Sequence, residues 1–149
     1  MFTPLDEGII EPDHSSWRAQ VLVTKNERQK RRMVVDYSRT VNKFTPLDAY
    51  PQPNLEEMAH TVAKSSVFSA YDLKSAYHQV ALAETDKPFT AFEAAGKLYQ
   101  FNRIPFGVIN GVAAFQRAMD KLIEDEKLEK TYAYLDNITV CGNDQVDHD

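Results

Sequence analysis

Two β-rich runs, residues 131–135 and 138–141, are separated only by Asp136-Asn137. A two-residue link of this type joins strands as a tight antiparallel hairpin, so any sheet that holds this segment is at least partly antiparallel. The stretch before it, 110–130, is the clearest helical pattern. Val112, Phe115, Ala118, Met119 and Leu122 recur there at three- and four-residue intervals, and its last two turns are charged. Elsewhere the chain reads as short strands broken by turn signals. Residues 17–24 (WRAQVLVT) and 33–37 (MVVDY) form strands on either side of a polar, basic loop over 26–32. Pro46, Pro51 and Pro53 then mark an extended connector. Asn54 is placed to cap a helix running to Lys64, with Glu56 and Glu57 in its first turn. Residues 67–73 read as a strand with Asp72 near its carboxyl end, and 79–83 as a second short strand. Residues 90–92 and 98–101 read as a hairpin across Gly96-Lys97. Strands and helices alternate without a linker between separate domains, which gives an α+β class.

Composition narrows the functional classes. A chain of 149 residues with 43% apolar and 26% charged residues fits one domain with its own core. No apolar run approaches a membrane span. Asp6, Glu7 and Glu11 stand where a secretory signal would need an apolar core, so none is expected. The single cysteine, Cys141, excludes an internal disulfide framework and makes a reducing, intracellular setting the expectation, the cytoplasm first and the nucleus as the alternative. Four scattered histidines and that cysteine show no zinc-ligand spacing. The net charge of −5 conceals a division. Residues 17–43 hold eight basic residues (Arg18, Lys25, Arg28, Lys30, Arg31, Arg32, Arg39 and Lys43) against Glu27 and Asp36, while the remainder is strongly acidic. That polarity suits a basic arm for a polyanion beside an acidic body; a solvated charged loop would have the same composition.

Two carboxylates sit where structure alone gains little from them. Asp72 ends an apolar strand, and Asp136 lies at the tip of an apolar hairpin beside Tyr134, Leu135 and Ile138. Placed in one sheet, the two would repel unless a divalent cation neutralised them. Oxygen ligands of this kind suit Mg²⁺, and paired carboxylates of this kind underlie two-metal phosphoryl transfer. Each residue also has a plainer reading, Asp136 as a turn aspartate and Asp72 as a strand-end or helix-capping one.

The words around these residues resemble a known family. Residues 68–79 (FSAYDLKSAYHQ) are similar to the first palm motif of gypsy-type long-terminal-repeat retrotransposon reverse transcriptases. Residues 104–110 (IPFGVIN), followed by Ala114-Phe115-Gln116, resemble the second motif, and Tyr134-Leu135-Asp136-Asn137 resembles the tyrosine-x-aspartate-aspartate hairpin. Upstream, residues 7–12 (EGIIEP), Ser16-Trp17 and residues 32–37 (RMVVDY) match the fingers segments. The blocks occur in order along essentially the whole chain. The resemblance implies the fingers and most of the palm of a right-hand RNA-directed DNA polymerase, an antiparallel sheet packed on helices, with fingers at about 1–48 and 80–106 and palm at 49–79 and 107–149.

The resemblance further implies roles. Asp72 and Asp136, with the Leu73 carbonyl, would hold two Mg²⁺ ions, for which Mn²⁺ could substitute. Amides near Ser75 and Ala76 would face the triphosphate. Tyr77 would exclude a 2′-hydroxyl, its alternative being an aromatic core residue. Arg32 and Lys25 would reach phosphates from the fingers. Phe106 and Gly107 would line the nucleotide pocket, with Gly107 permitting close backbone approach. Gln116 and Tyr134 would meet the template-primer, a solvated helix face being the alternative for Gln116. Partners would be an RNA or DNA template-primer, deoxynucleoside triphosphates, and the thumb, ribonuclease H and integrase of a Pol polyprotein. No membrane partner is expected.

Three departures qualify this. Asn137 stands where the family has its second aspartate, keeping shape but losing a negative charge. Gly111-Val112 replaces a small residue and proline, and the run 38–42 is one residue longer than the common pattern. With the thumb absent, the alternative reading is a catalytically dead retrotransposon remnant that binds nucleic acid or a protein partner.

Overall fold

The structure is a computed structural model and describes residues 7–149 other than 26, 28 and 30. In chain order its elements are β1 (Ile10–Pro12), β2 (Gln20–Lys25), β3 (Arg31–Asp36), α1 (Val41–Phe44), α2 (Leu55–Val62), β4 (Val67–Asp72), β5 (Phe92–Ala94), β6 (Lys97–Phe101), α3 (Gly111–Asp125), β7 (Thr131–Tyr134), β8 (Asn137–Gly142) and α4 (Gln145–His148). Two 3₁₀ turns lie at Ala76–Gln79 and Lys87–Thr90. The strands form three small sheets, β1-β6-β5, β2-β3 and β4-β8-β7, and every pairing within them is antiparallel. The α+β expectation is met. No helix among the described residues is long and apolar enough to cross a membrane.

The chain divides into two compact units. One comprises residues up to Leu47 together with Tyr77–Gly111; the other comprises Asp48–Ala76 and Val112–Asp149. In the first, the core gathers Ile9, Ile10, Ala19, Val35, Tyr37, Phe92 and Phe101 from β1, β3, β5, β6 and the segment before β2. Tyr37 is buried yet satisfied: its hydroxyl donates to the Thr90 carbonyl at 2.8 Å. Thr90 in turn accepts from the Phe101 amide at 2.9 Å and donates to the Lys87 carbonyl at 2.7 Å, which ties the 3₁₀ turn to β6. Burial pushes the Tyr37 phenol well above its usual range, so it stays a donor at every ordinary pH. Tyr37→Phe removes this bond and strands a buried carbonyl, and is expected to cost about 1–2 kcal/mol in urea denaturation, with no pH dependence between 6 and 9.

In the second unit, Asn54 caps α2 as expected, its side chain accepting from the amides of Glu56 and Glu57 at 3.0 and 3.3 Å. Helix α3 buries Ala113, Phe115, Gln116 and Met119, whereas Val112 and Leu122, both expected inside, are exposed. The buried stripe is rotated so that it centres on Gln116, a polar residue that hydropathy alone excludes.

Several boundaries differ from expectation, and four of them have a plain local cause. Helix α3 ends at Asp125, not Lys130, because Lys127 turns left-handed (φ 52°). The Leu128 amide then bonds the Ile123 carbonyl and the Lys127 amide the Glu124 carbonyl, a Schellman stop. The β5–β6 turn is Ala95-Gly96, both at positive φ, one residue earlier than read. Residues 79–83 form no strand; a 3₁₀ turn runs through Gln79 and only an isolated bridge joins Ala81 to Arg103. The loop expected over 26–32 is shorter, because Arg31 already pairs with Lys25, and Asn26, Arg28 and Lys30 lie outside the described residues.

Candidate active site

Strand β8 runs between β4 and β7, and its first residue, Asn137, lies opposite Asp72 on one side and Tyr134 on the other. The two-residue turn is therefore Leu135-Asp136, and Asn137, expected in the turn, belongs to the ladder. Cross-strand partners share a face, so Asp72, Asn137 and Tyr134 line one face at one end of this sheet. Where β4 ends, the Leu73 amide donates to the Asp136 carbonyl at 2.7 Å, which holds the two acidic segments side by side. The Asn137 side-chain Nδ2 donates to Asp136 Oδ1 at 3.3 Å. Asp72 is exposed and Asp136 half-buried.

The turn is unusual in its first residue. Leu135 has φ 52° while Asp136 does not take positive φ, the pattern of a type II′ turn, which normally carries glycine at that position. A bulky residue persists there only when its surroundings hold it. Gln116 supplies that hold. Its Oε1 accepts from the Leu135 amide at 3.1 Å, and its Nε2 donates to the Ala133 carbonyl at 3.1 Å and to Asp120 Oδ1 at 2.9 Å. Gln116 is 0% exposed. The expectation that it meets the template-primer is corrected: its amide is consumed inside the unit, and the solvated helix face fails as well.

Behind Gln116 the polar chain continues. The Tyr50 hydroxyl donates to Asp120 Oδ2 at 2.7 Å. The Arg117 guanidinium lies 4.6 Å over the Tyr50 ring and donates to Asp48 Oδ2 at 2.6 Å, while Asp48 Oδ1 accepts the Tyr50 amide at 3.1 Å. The Asp120 hydrogen bond raises the Tyr50 phenol above its ordinary range, and the Arg117 hydrogen bond lowers the Asp48 carboxyl. Sequence reading missed these residues; the four-residue spacing of Gln116 and Asp120, that of a helical Gln–Asp pair, was the available signal.

The expected nucleotide contacts fall into separate groups. In the second unit, Ser75 takes a left-handed backbone (φ 51°) and the buried Ala76 opens the following 3₁₀ turn. In the first, the Tyr77 and Phe106 rings meet edge-on at 5.0 Å, with Phe106 largely exposed. Gly107 has φ 92°, and a Cβ there would lie 3.3 Å from the Val35 carbonyl, so the close approach it permits is to β3 of its own unit. Asn42, also missed, pins this loop by donating to the Gly107 carbonyl at 2.7 Å and accepting from the Ile109 amide at 2.8 Å. Arg32 and Lys25 are both exposed, but they pair with Thr24 and Arg31 respectively, and neighbouring pairs point to opposite faces of the ribbon. Arg32 and Lys25 are therefore not brought onto one surface.

The donor set beside the β7–β8 turn, two carboxylates and a backbone carbonyl, consists of oxygens and fits a hard divalent cation. Among the described residues, no group of three or more His, Cys, Asp or Glu side chains converges to hold a metal.

Known proteins resemble this chain over nearly its whole length. The family model for the reverse transcriptase (RNA-dependent DNA polymerase) domain matches residues 11–149, and the chain belongs to this family. It is 33% identical, over 97% of its length, to the retrovirus-related Pol polyprotein from transposon gypsy of Drosophila melanogaster, of which it covers 14%. It is 36% identical over 97% of its length to the enzymatic polyprotein of Cauliflower mosaic virus (strain D/H), of which it covers 22%. Among solved structures, the native prototype foamy virus protease-reverse transcriptase superposes with a TM-score of 0.78 at 27% identity, covering 97% of this chain and 19% of that one. The foamy viral protease-reverse transcriptase in complex with an RNA/DNA hybrid shares the fold with a TM-score of 0.84 at 23% identity, covering 97% of this chain and 19% of that one. The chain thus spans a small part of the polyproteins it matches. The gypsy-type relationship read from the motifs is borne out.

Proposed function

We propose that this chain supplies the fingers and most of the palm of a reverse transcriptase, the first unit as fingers and the second as palm, and that it works in template-directed addition of deoxynucleotides to a primer 3′-hydroxyl. The observation that carries the reading is the register that sets Asp72 beside the Leu135-Asp136 turn, within a chain of reverse transcriptase sequence. The carboxylates of Asp72 and Asp136, with the Leu73 carbonyl, would hold Mg²⁺, which when bound neutralises charge on the transferring phosphoryl group. The chain's own residues would orient the nucleotide: backbone amides at Ser75 and Ala76 toward its phosphates, the Tyr77–Phe106 ring pair beneath its sugar, and the Arg32 fork on phosphate oxygens. Lys25 stands as a separate phosphate contact, and Tyr134 as the template-primer contact that the hairpin retains.

Mn²⁺ serves as the probe of the metal site. The chain is expected to bind it in paramagnetic-resonance titrations, more tightly once a deoxynucleoside triphosphate is added. Asp72→Ala is expected to weaken that binding at least tenfold, as losing one of two carboxylate ligands should. Equal affinity in the variant would exclude Asp72 from the metal and remove the basis of the reading.

A further inference from the structure

We propose that Tyr50 and Asp120 form a positioning clamp that sets the orientation of the Gln116 amide and, through it, the conformation of the Leu135-Asp136 turn. The inference rests on the polymerase reading for its functional meaning, though not for its structural content. Buried glutamine can face its oxygen or its nitrogen toward a neighbour, and the two ends differ little in shape. Here the orientation has one solution. Asp120 Oδ1 and the Ala133 carbonyl can only accept, so Nε2 must face them, which leaves Oε1 for the Leu135 amide. Reversing the amide would break all three bonds and set oxygen against oxygen.

Asp120 imposes that choice only if its own carboxylate is held. Its other oxygen takes the Tyr50 hydroxyl at 2.7 Å, and Tyr50 is itself fixed by Arg117 over its ring and by its amide on Asp48. Arg117 and Asp120 both lie on α3 and meet the Tyr50 side chain, which reaches them from the connector before α2, at its ring and at its hydroxyl. The turn they act on carries a left-handed leucine, a backbone that relaxes when its amide partner leaves. Asp136, the next residue, accepts from the Leu73 amide at its carbonyl and follows the turn if it shifts. Tyr50, Asp120, Arg117 and Asp48 are not among the proposed metal ligands. They act through Gln116, which makes them positioning residues rather than catalytic ones.

Amide hydrogen exchange on the whole chain, read residue by residue by NMR, provides the test. In Tyr50→Phe, which keeps the ring under Arg117 and removes only the hydroxyl, Leu135 exchange is expected to accelerate at least fivefold while Met119, inside α3, is unchanged. Asp120→Asn is expected to do the same. Adding Tyr50→Phe to Asp120→Asn should then change little, because an asparagine no longer needs the phenol to define its acceptor; this non-additivity is what separates a clamp from two independent stabilising contacts. Unchanged Leu135 exchange in Tyr50→Phe, equal acceleration at Met119, or full additivity in the double variant would each overturn the clamp. The Mn²⁺ affinity of the same samples separates the two claims: a faster Leu135 amide with at least threefold weaker Mn²⁺ binding supports both. A faster amide in a chain that never binds Mn²⁺ leaves the clamp standing and defeats the metal reading alone.

Discussion

Gln116→Ala is expected to lower the stability of the second unit by about 3–4 kcal/mol, the largest loss from any single side chain considered, because three hydrogen bonds vanish at a fully buried site. The Leu135 amide and the Ala133 carbonyl lose their partner, and neither gains water, since the residue that covered them was itself sealed from solvent. Truncation also leaves a cavity between α3 and the β7–β8 hairpin, which adds to the cost. Gln116→Met separates the contributions. It fills nearly the same volume without polar atoms, so the cavity cost disappears and about 2–3 kcal/mol of unsatisfied polar groups remains. Urea denaturation followed by far-ultraviolet circular dichroism is the suitable measurement, because Trp17, the single tryptophan, belongs to the first unit. A loss below 1 kcal/mol in both variants would mean that the turn finds other partners and that Gln116 does not hold it.

Gln116 also marks the limit of what the sequence discloses. The elements whose signals are local were legible: Asn54 before Glu56 and Glu57 announces a cap, the apolar run ending in Asp72 announces a strand, and the tight link near 136 announces a hairpin. The placement of Asp72 near Asp136 followed from strand pairing and needed no side-chain detail. What failed did so where a tertiary partner decides. Hydropathy assigned α3's inward face to Val112 and Leu122, yet the helix turns that face so that a glutamine meets the backbone of the hairpin. The turn residues slipped by one position, because Asn137 earns its place by pairing with both Asp72 and Tyr134, a three-strand fact invisible in a two-strand reading. Tyr50, Arg117 and Asp48 come from a proline-rich connector and a charged helix face, where composition points to solvent. Their hydrogen bonds depend on how the connector passes α3, and short-range pattern carries no trace of that. The family motifs pointed to Asp72 and Asp136 as a candidate metal site, whereas the residues that support the turn beside it came only from the structure.

Asn137→Asp is expected to act in opposite directions on stability and on metal binding. Residue 137 lies directly opposite Asp72 in the ladder, where cross-strand side chains sit roughly 4.5–5.5 Å apart at Cβ. An aspartate there faces one carboxylate across the strand and another at Asp136, whose Oδ1 now accepts from the Asn137 amide. Without metal the three like charges repel, and because Asp72 is exposed, solvent and salt reduce the cost to about 0.5–1 kcal/mol, smaller still at high ionic strength. With a dication among them each pair changes sign. A unit charge about 5 Å from a divalent ion in an effective dielectric near 20 gains several kcal/mol before desolvation, so an affinity increase of about a hundredfold, near 2.7 kcal/mol, is the reasonable expectation. On this expectation the native asparagine would exchange metal affinity for a stable metal-free hairpin. Thermal denaturation at fixed ionic strength with and without millimolar Mn²⁺ checks both halves at once: the variant should melt below the native chain in chelator and above it in Mn²⁺, since ligand that binds only the folded state raises its stability by mass action. A variant that melts lower in both conditions, with unchanged Mn²⁺ affinity, would place position 137 outside the metal's reach. The loss of its charge would then have no bearing on catalysis.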